Sequence, residues 1–154
     1  MKTKLFAALC AALCALTFCA CNPADPYKDY LASSIEAAPM PLGSAHEVAF
    51  SFGSNRAELF CDYQSFAAEK LPLNYTEGYF ENNDLLVFAT HCCSSDNMKF
   101  GEVLENEGKL YPVFYRDYIP DGAAVTEDFI VLIYYAEVPK SAGYTLGEVI
   151  FRYR

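Results

Sequence analysis

The stretch Leu85-Leu86-Val87-Phe88-Ala89, entered through Asn82-Asn83-Asp84, decides how this chain is read. A half-buried strand alternates apolar and polar residues, but here both faces are apolar. A strand tolerates that only in the middle of a sheet covered on both sides. Residues 129–136 repeat the pattern and are stopped by Pro139, which predicts a second central strand.

Working outward, Val48, Phe50 and Phe52 alternate with Ala49 and Ser51, the period of a strand beginning near His46 and ended by Gly53. Ser54 is a good cap residue. Leu59, Phe60, Tyr63, Phe66 and Ala67 then recur at helical spacing until Pro72, predicting a helix over 55–69. Residues 75–81 read as one further helical turn. On the C-terminal side, 99–105 and 109–118 flank Asn106-Glu107-Gly108, a hairpin-type turn. Pro112 cannot donate to a ladder, so the second arm is expected at an edge or a bulge. Residues 144–153 alternate less purely and close the chain. Runs of consecutive strands favour an α+β domain over 46–154. It is expected to hold a mainly antiparallel sheet of about six strands, with one longer and one short helix on one side.

The N-terminus carries an address. Lys2 and Lys4 precede an uncharged, mostly apolar run over 5–18, shorter than the about 20 residues a membrane span requires. Residues 1–20 therefore read as a signal peptide. Phe18-Cys19-Ala20-Cys21 resembles the bacterial lipobox, with Ala20 as the small residue before the cleavage point and Phe18 where that motif usually has Leu. The resemblance implies lipidation of Cys21 and an extracytoplasmic protein held to the bacterial membrane by its lipid; ordinary signal cleavage nearby is the alternative. Residues 21–45, with Pro23, Pro26, Pro39 and Pro41, read as a stalk. Within it Asp25 can cap and Pro26 start a short helix, placing Tyr27, Tyr30, Leu31 and Ile35 on one face.

Composition narrows the function classes. Of 154 residues, 53% are hydrophobic, which excludes a disordered chain. Eleven Lys and Arg stand against 20 Asp and Glu, a formal charge of −9, so no footprint for nucleic acid exists. Beyond the signal the cysteines are Cys61, Cys92 and Cys93. Outside the cytoplasm Cys61 can pair with Cys92 or Cys93, leaving an odd thiol; small buried hydrophobes are the plainer reading. His91-Cys92-Cys93, with His46 elsewhere, shows no paired ligand spacing, so neither a metal nor a cofactor is expected. No base or oxyanion hole is legible beside a nucleophile. Glu102, Glu105, Glu107, Asp117, Asp121, Glu127 and Asp128 read as a solvated acidic rim.

Tyrosine is the residue in excess: 12 Tyr and no Trp, with Tyr111, Tyr115, Tyr118 and Tyr134 in the last third of the chain. Such rings either cap the faces of a core or supply a contact surface, because they bury area at low entropic cost. These four are the candidate partner-binding residues, together with the loops at 92–98 and 119–127.

The order of features carries a resemblance. Residues 54–63 (SNRAELFCDY), 79–88 (YFENNDLLVF), the 94–105 strand and Val125-Thr126-Glu127-Asp128-Phe129 leading into Glu137-Val138-Pro139-Lys140 are similar to small lipoproteins of gut Firmicutes. Those in turn resemble the C-terminal domain of the protease complex subunit PrcB family. The likeness spans about 48–140. Where that family often has a glycine-rich turn, this chain has Cys92-Cys93-Ser94-Ser95-Asp96. The resemblance implies a non-catalytic, surface-anchored accessory domain that pairs with a secreted protease. The expected function is thus a protein-binding module bound to another envelope or secreted protein. The alternatives are an envelope carrier of a small ligand or metal, or a hydrolase using the acidic rim or Cys92 and Cys93.

Overall fold

Asn83–Cys92 (β4) is the strand around which the molecule is built, and Leu85, Leu86, Val87, Phe88 and Ala89 are all fully buried in it. The computed structural model describes residues 25–40, 55–93, 97–120, 122–124, 126 and 130–154. The signal peptide, Cys21, the strand expected over 46–52 with His46, Asp121, Glu127 and Asp128 lie outside the described residues. Among the described residues no helix is long and apolar enough to cross a membrane.

β4 pairs antiparallel with Ile130–Pro139 (β7) on one side and Arg56–Phe60 (β3) on the other. Ala37–Pro39 (β2) extends the far edge of β7, giving the order β2-β7-β4-β3. The second sheet is built on the hairpin Lys99–Asn106 (β5) and Lys109–Arg116 (β6). Leu31–Ala32 (β1) pairs with β5, and Thr145–Leu146 (β8) and Ile150–Tyr153 (β9) both run parallel to β6. Glu107 and Gly108, at φ 50° and 73°, supply the two left-handed residues that a tight hairpin turn demands.

The two faces of β4 meet different layers. Leu86 and Phe88 point between the sheets, against Val103, Leu110, Phe114, Ala136 and Val138. Leu85, Val87 and Ala89 point to the opposite side, where Phe60, Phe66, Leu71 and Phe80 cover them. Both central strands read from the apolar runs are therefore present, and the cover on each side explains why neither alternates. A third, smaller core lies on the outer face of the second sheet, where Tyr27 and Tyr30 pack over Leu104, Tyr111, Val113 and Ile150.

The expected α+β domain with one mainly antiparallel sheet of about six strands holds in part: among the described residues the pairing is mainly antiparallel, but the strands form two sheets, one of them mixed, and there is little helix. The helix expected over 55–69 is instead β3 followed by a short helix, Tyr63–Ala68 (α1). Its true cap is Asp62, whose Oδ1 accepts the Ser65 N–H at 2.8 Å, not Ser54. Leu59 and Phe60 imitated helical spacing because a strand and a helix joined at Cys61-Asp62 deliver Phe60 and Phe66 to the same core. The turn expected over 75–81 is a 3-10 helix, Glu77–Glu81. The helix expected after Pro26 is a turn, and the segment then contributes β1 and β2, one strand to each sheet. Pro112 sits where the partner of β6 changes: Leu110 pairs with Leu146 in β8 and Val113 with Ile150 in β9. The missing N–H therefore removes no ladder bond, and the closing segment is two short strands instead of one.

Candidate functional site

The tyrosines singled out in the sequence separate into three environments. Tyr111 is buried, its ring 4.8 Å from that of Tyr30, and burial raises its hydroxyl pKa. Tyr134 lies between the sheets, near-parallel to Phe88 at 5.8 Å and 4.9 Å from Phe100. Tyr115, on the outer face of β6, donates to Glu102 Oε1 at 2.9 Å and lies under the Arg154 guanidinium. Tyr118, 65% exposed just past β6, is the member of the four that faces solvent.

Many carboxylates are tied to tyrosines. Besides Tyr115 and Glu102, Tyr27 donates to Glu148 Oε1 at 2.8 Å, Tyr75 to Glu137 Oε1 at 3.0 Å and Tyr144 to Glu105 Oε2 at 2.9 Å. A carboxylate beside a phenol favours the protonated phenol. The hydroxyls of Tyr27 and Tyr144 are raised above their ordinary value chiefly by these bonds, and that of Tyr75 by burial first and Glu137 second. Acid and aromatic excess are thus one feature of the surface, which the sequence alone presented as two.

At the C-terminal edge the aromatic residues are not absorbed. Phe100, Phe114 and Phe151 stand side by side on β5, β6 and β9, with Phe114 and Phe151 near-parallel at 6.1 Å. Among the described residues nothing pairs with the outer edge of β9. Phe151 is 37% exposed and Tyr153 67%. In the sequence both are marked only by the alternation Ile150, Phe151, Arg152, Tyr153, which puts the aromatic residues on the face opposite Ile150.

Cys61 and Cys92 lie at opposite ends of β4. Phe60 pairs with Leu85, whereas Cys92, seven residues further along β4, pairs with Ile130. Seven residues of strand span roughly 23 Å, while a disulfide needs Cα atoms within about 7 Å. The pairing of Cys61 with Cys92 or Cys93 read from the sequence is therefore set aside.

Cys61 instead borders a cleft of about 340 Å³ with Asp62, Tyr63, Phe80 and Lys140. Lys140 Nζ donates to the Cys61 and Phe80 carbonyls at 2.7 Å each and lies 3.5 Å from the buried Asp84 carboxylate. Burial and the charge of Asp84 raise the Cys61 thiol pKa, which keeps it protonated and weakens it as a nucleophile. The geometry is that of a lysine closing a strand end, and it lacks the activation a thiol enzyme requires. Among the described residues no three His, Cys, Asp or Glu side chains gather as a metal site would require.

Comparisons with protein-family models, curated proteins and solved structures return no match to this chain.

Proposed function

We propose that the mature chain is an extracytoplasmic, lipid-anchored binding module that contacts another envelope or secreted protein and performs no chemistry itself. One observation carries the binding part. Among the described residues most aromatic side chains are buried or hydrogen-bonded, yet Tyr118 and Tyr153 are 65% and 67% exposed, well above Tyr63 and Phe151 at 37% each. Rigid amphipathic rings left in solvent are the residues a protein interface uses as anchors. The lipid-anchored part follows from the lipobox resemblance at Cys21, and the resemblance to the PrcB family makes a secreted protease the first class of partner to test.

The test is site-directed photo-crosslinking of the full chain in its native envelope. A photoreactive residue at position 118 or 153 should capture one protein in stoichiometric yield, and the same residue at position 63, beside the Cys61 cleft, should not. Equal capture from all three positions, or none from any, would count against the reading. Mass spectrometry of the mature N-terminus, with Cys21→Ala as the control, tests the lipid: the acyl mass should be present in the parent and absent in the variant.

A further inference from the structure

The N-terminal segment is bound to the body of the molecule from Asp25 onward. Arg152 of β9 pairs with the Asp25 carboxylate at 3.0 Å and donates to the Tyr27 carbonyl at 3.2 Å, while the Tyr27 N–H donates to Asp25 Oδ1 at 2.9 Å. The Tyr27 hydroxyl holds Glu148, and Tyr27 and Tyr30 then cross the outer face of the second sheet over Leu104, Tyr111, Val113 and Ile150. The crossing ends where β1 pairs with β5 and Ser33 Oγ donates to the Val103 carbonyl at 2.8 Å. Residues 25–32 are thus a strap, fastened to β9 at one end and to β5 at the other.

Chain length turns this strap into a constraint. Cys21 lies four residues before Asp25, and four extended residues span at most about 14 Å. A compact domain of this length is roughly 35 Å across. A lipid on Cys21 is therefore tied to the strap by a tether shorter than the radius of the domain, and only the side around Asp25 can rest on the bilayer. That side is the outer face of the second sheet at β9. The opposite side is the layer formed by α1 and the Glu77–Glu81 helix, whose Phe66 and Phe80 cover the outer face of the first sheet. Two sheets, packed about 10 Å apart, stand between them. The exposed Tyr118 and Tyr153 belong to the tethered end: Tyr153 follows Arg152 and pairs with Arg116, two residues before Tyr118.

We infer that the strap orients the domain on the membrane, holding the β9 end of the second sheet against the bilayer surface and turning α1 away from it. This rests on the lipid-anchored reading and adds the geometry of the anchored state. Its consequence for the binding reading is a restriction on the partner. A protein that meets Tyr118 and Tyr153 does so beside the bilayer, so it is one held at the same membrane.

The test uses the full lipoprotein purified from membranes, in a Cys61→Ser, Cys93→Ser background. One fluorophore is attached either at Arg154→Cys, on the tethered face, or at Gln64→Cys, on α1; both positions are exposed. The protein is reconstituted in phosphatidylcholine vesicles, whose neutral surface does not orient a charged domain, with increasing amounts of a nitroxide-headgroup phosphatidylcholine as a contact-range quencher. Quenching at position 154 should exceed that at position 64 several-fold. An insertion of about twenty Gly and Ser residues between Ala24 and Asp25 lengthens the tether to an r.m.s. reach of roughly 25 Å and leaves the body untouched. With it the ratio should fall towards one. Equal quenching at the two positions, greater quenching at 64, none at either, or a ratio unchanged by the insertion would overturn the inference. An acylated chain with equal quenching would sink the orientation and leave the lipid anchor standing; absence of the acyl mass on Cys21 would remove both.

Discussion

Gly147 lies against the ring of Tyr111, so close that a Cβ built on the glycine would come within 2.2 Å of Tyr111 Cε1. The ring has little room to yield, because Tyr111 is buried and packed against Tyr30. Gly147→Ala should therefore cost about 1–3 kcal/mol through displaced packing, seen as a lower urea midpoint. Gly78→Ala is the control: nothing lies within 4 Å of its Cβ position, and its midpoint should barely move.

Phe88 is fully buried in the inter-sheet core, with Phe100, Phe114 and Tyr134 each within 6 Å of its ring centroid. Phe88→Ala should destabilise by about 3–5 kcal/mol. Tyr118→Ala, at an exposed position, should change stability by no more than about 0.5 kcal/mol. Equilibrium denaturation of both separates a core aromatic from a surface one. A large effect at Tyr118 would show that this residue belongs to the fold and would weaken its assignment to an interface.

Lys140 joins three elements through one ammonium, bonding the carbonyls after β3 and in the Glu77–Glu81 helix while facing Asp84 at the start of β4. The Asp84 side chain is 7% exposed and its Oδ1 makes no hydrogen bond, so this cation is its charge partner there. Lys140→Met should cost about 2 kcal/mol, below the full worth of a buried pair because the lysine itself is partly exposed. The same change in an Asp84→Asn background should cost less, since the stranded charge is gone. A double-mutant cycle reads the difference, and additive costs would show that the two groups act independently.

The legible parts of the fold were those where one local pattern has one physical meaning. Leu85 to Ala89 could only be a strand covered twice, and Glu107-Gly108 between alternating arms could only be a tight turn. Residues 55–69 read as one helix because a five-residue strand and a six-residue helix, both amphipathic toward one core, sum to an apparent helical period. The β1 and β2 strands leave no such pattern, because they are too short to show a period and owe their structure to pairing with β5 and β7. Of the candidate site, Tyr118 was legible as a tyrosine in a loop. The exposure of Phe151 and Tyr153 was not, because it depends on β9 being the last strand beside β6, a long-range fact that no local pattern encodes.

The tyrosines give the fold an alkaline limit. Tyr27, Tyr75, Tyr79, Tyr111 and Tyr144 all have hydroxyls raised above their ordinary value of 10.0, by burial or by a neighbouring carboxylate. A raised pKa means the folded state holds the proton more tightly than the unfolded chain. Its contribution is therefore present in full below about pH 10 and is lost as pH rises through the folded values. The urea midpoint should be insensitive to tyrosine ionisation between pH 7 and 9 and fall steeply above about pH 10. Tyr75→Phe removes a group raised by burial and by Glu137, so its midpoint should fall less steeply over that alkaline range than the parent's. Parallel curves for variant and parent above pH 10 would show that Tyr75 is not among the groups whose ionisation opens the fold.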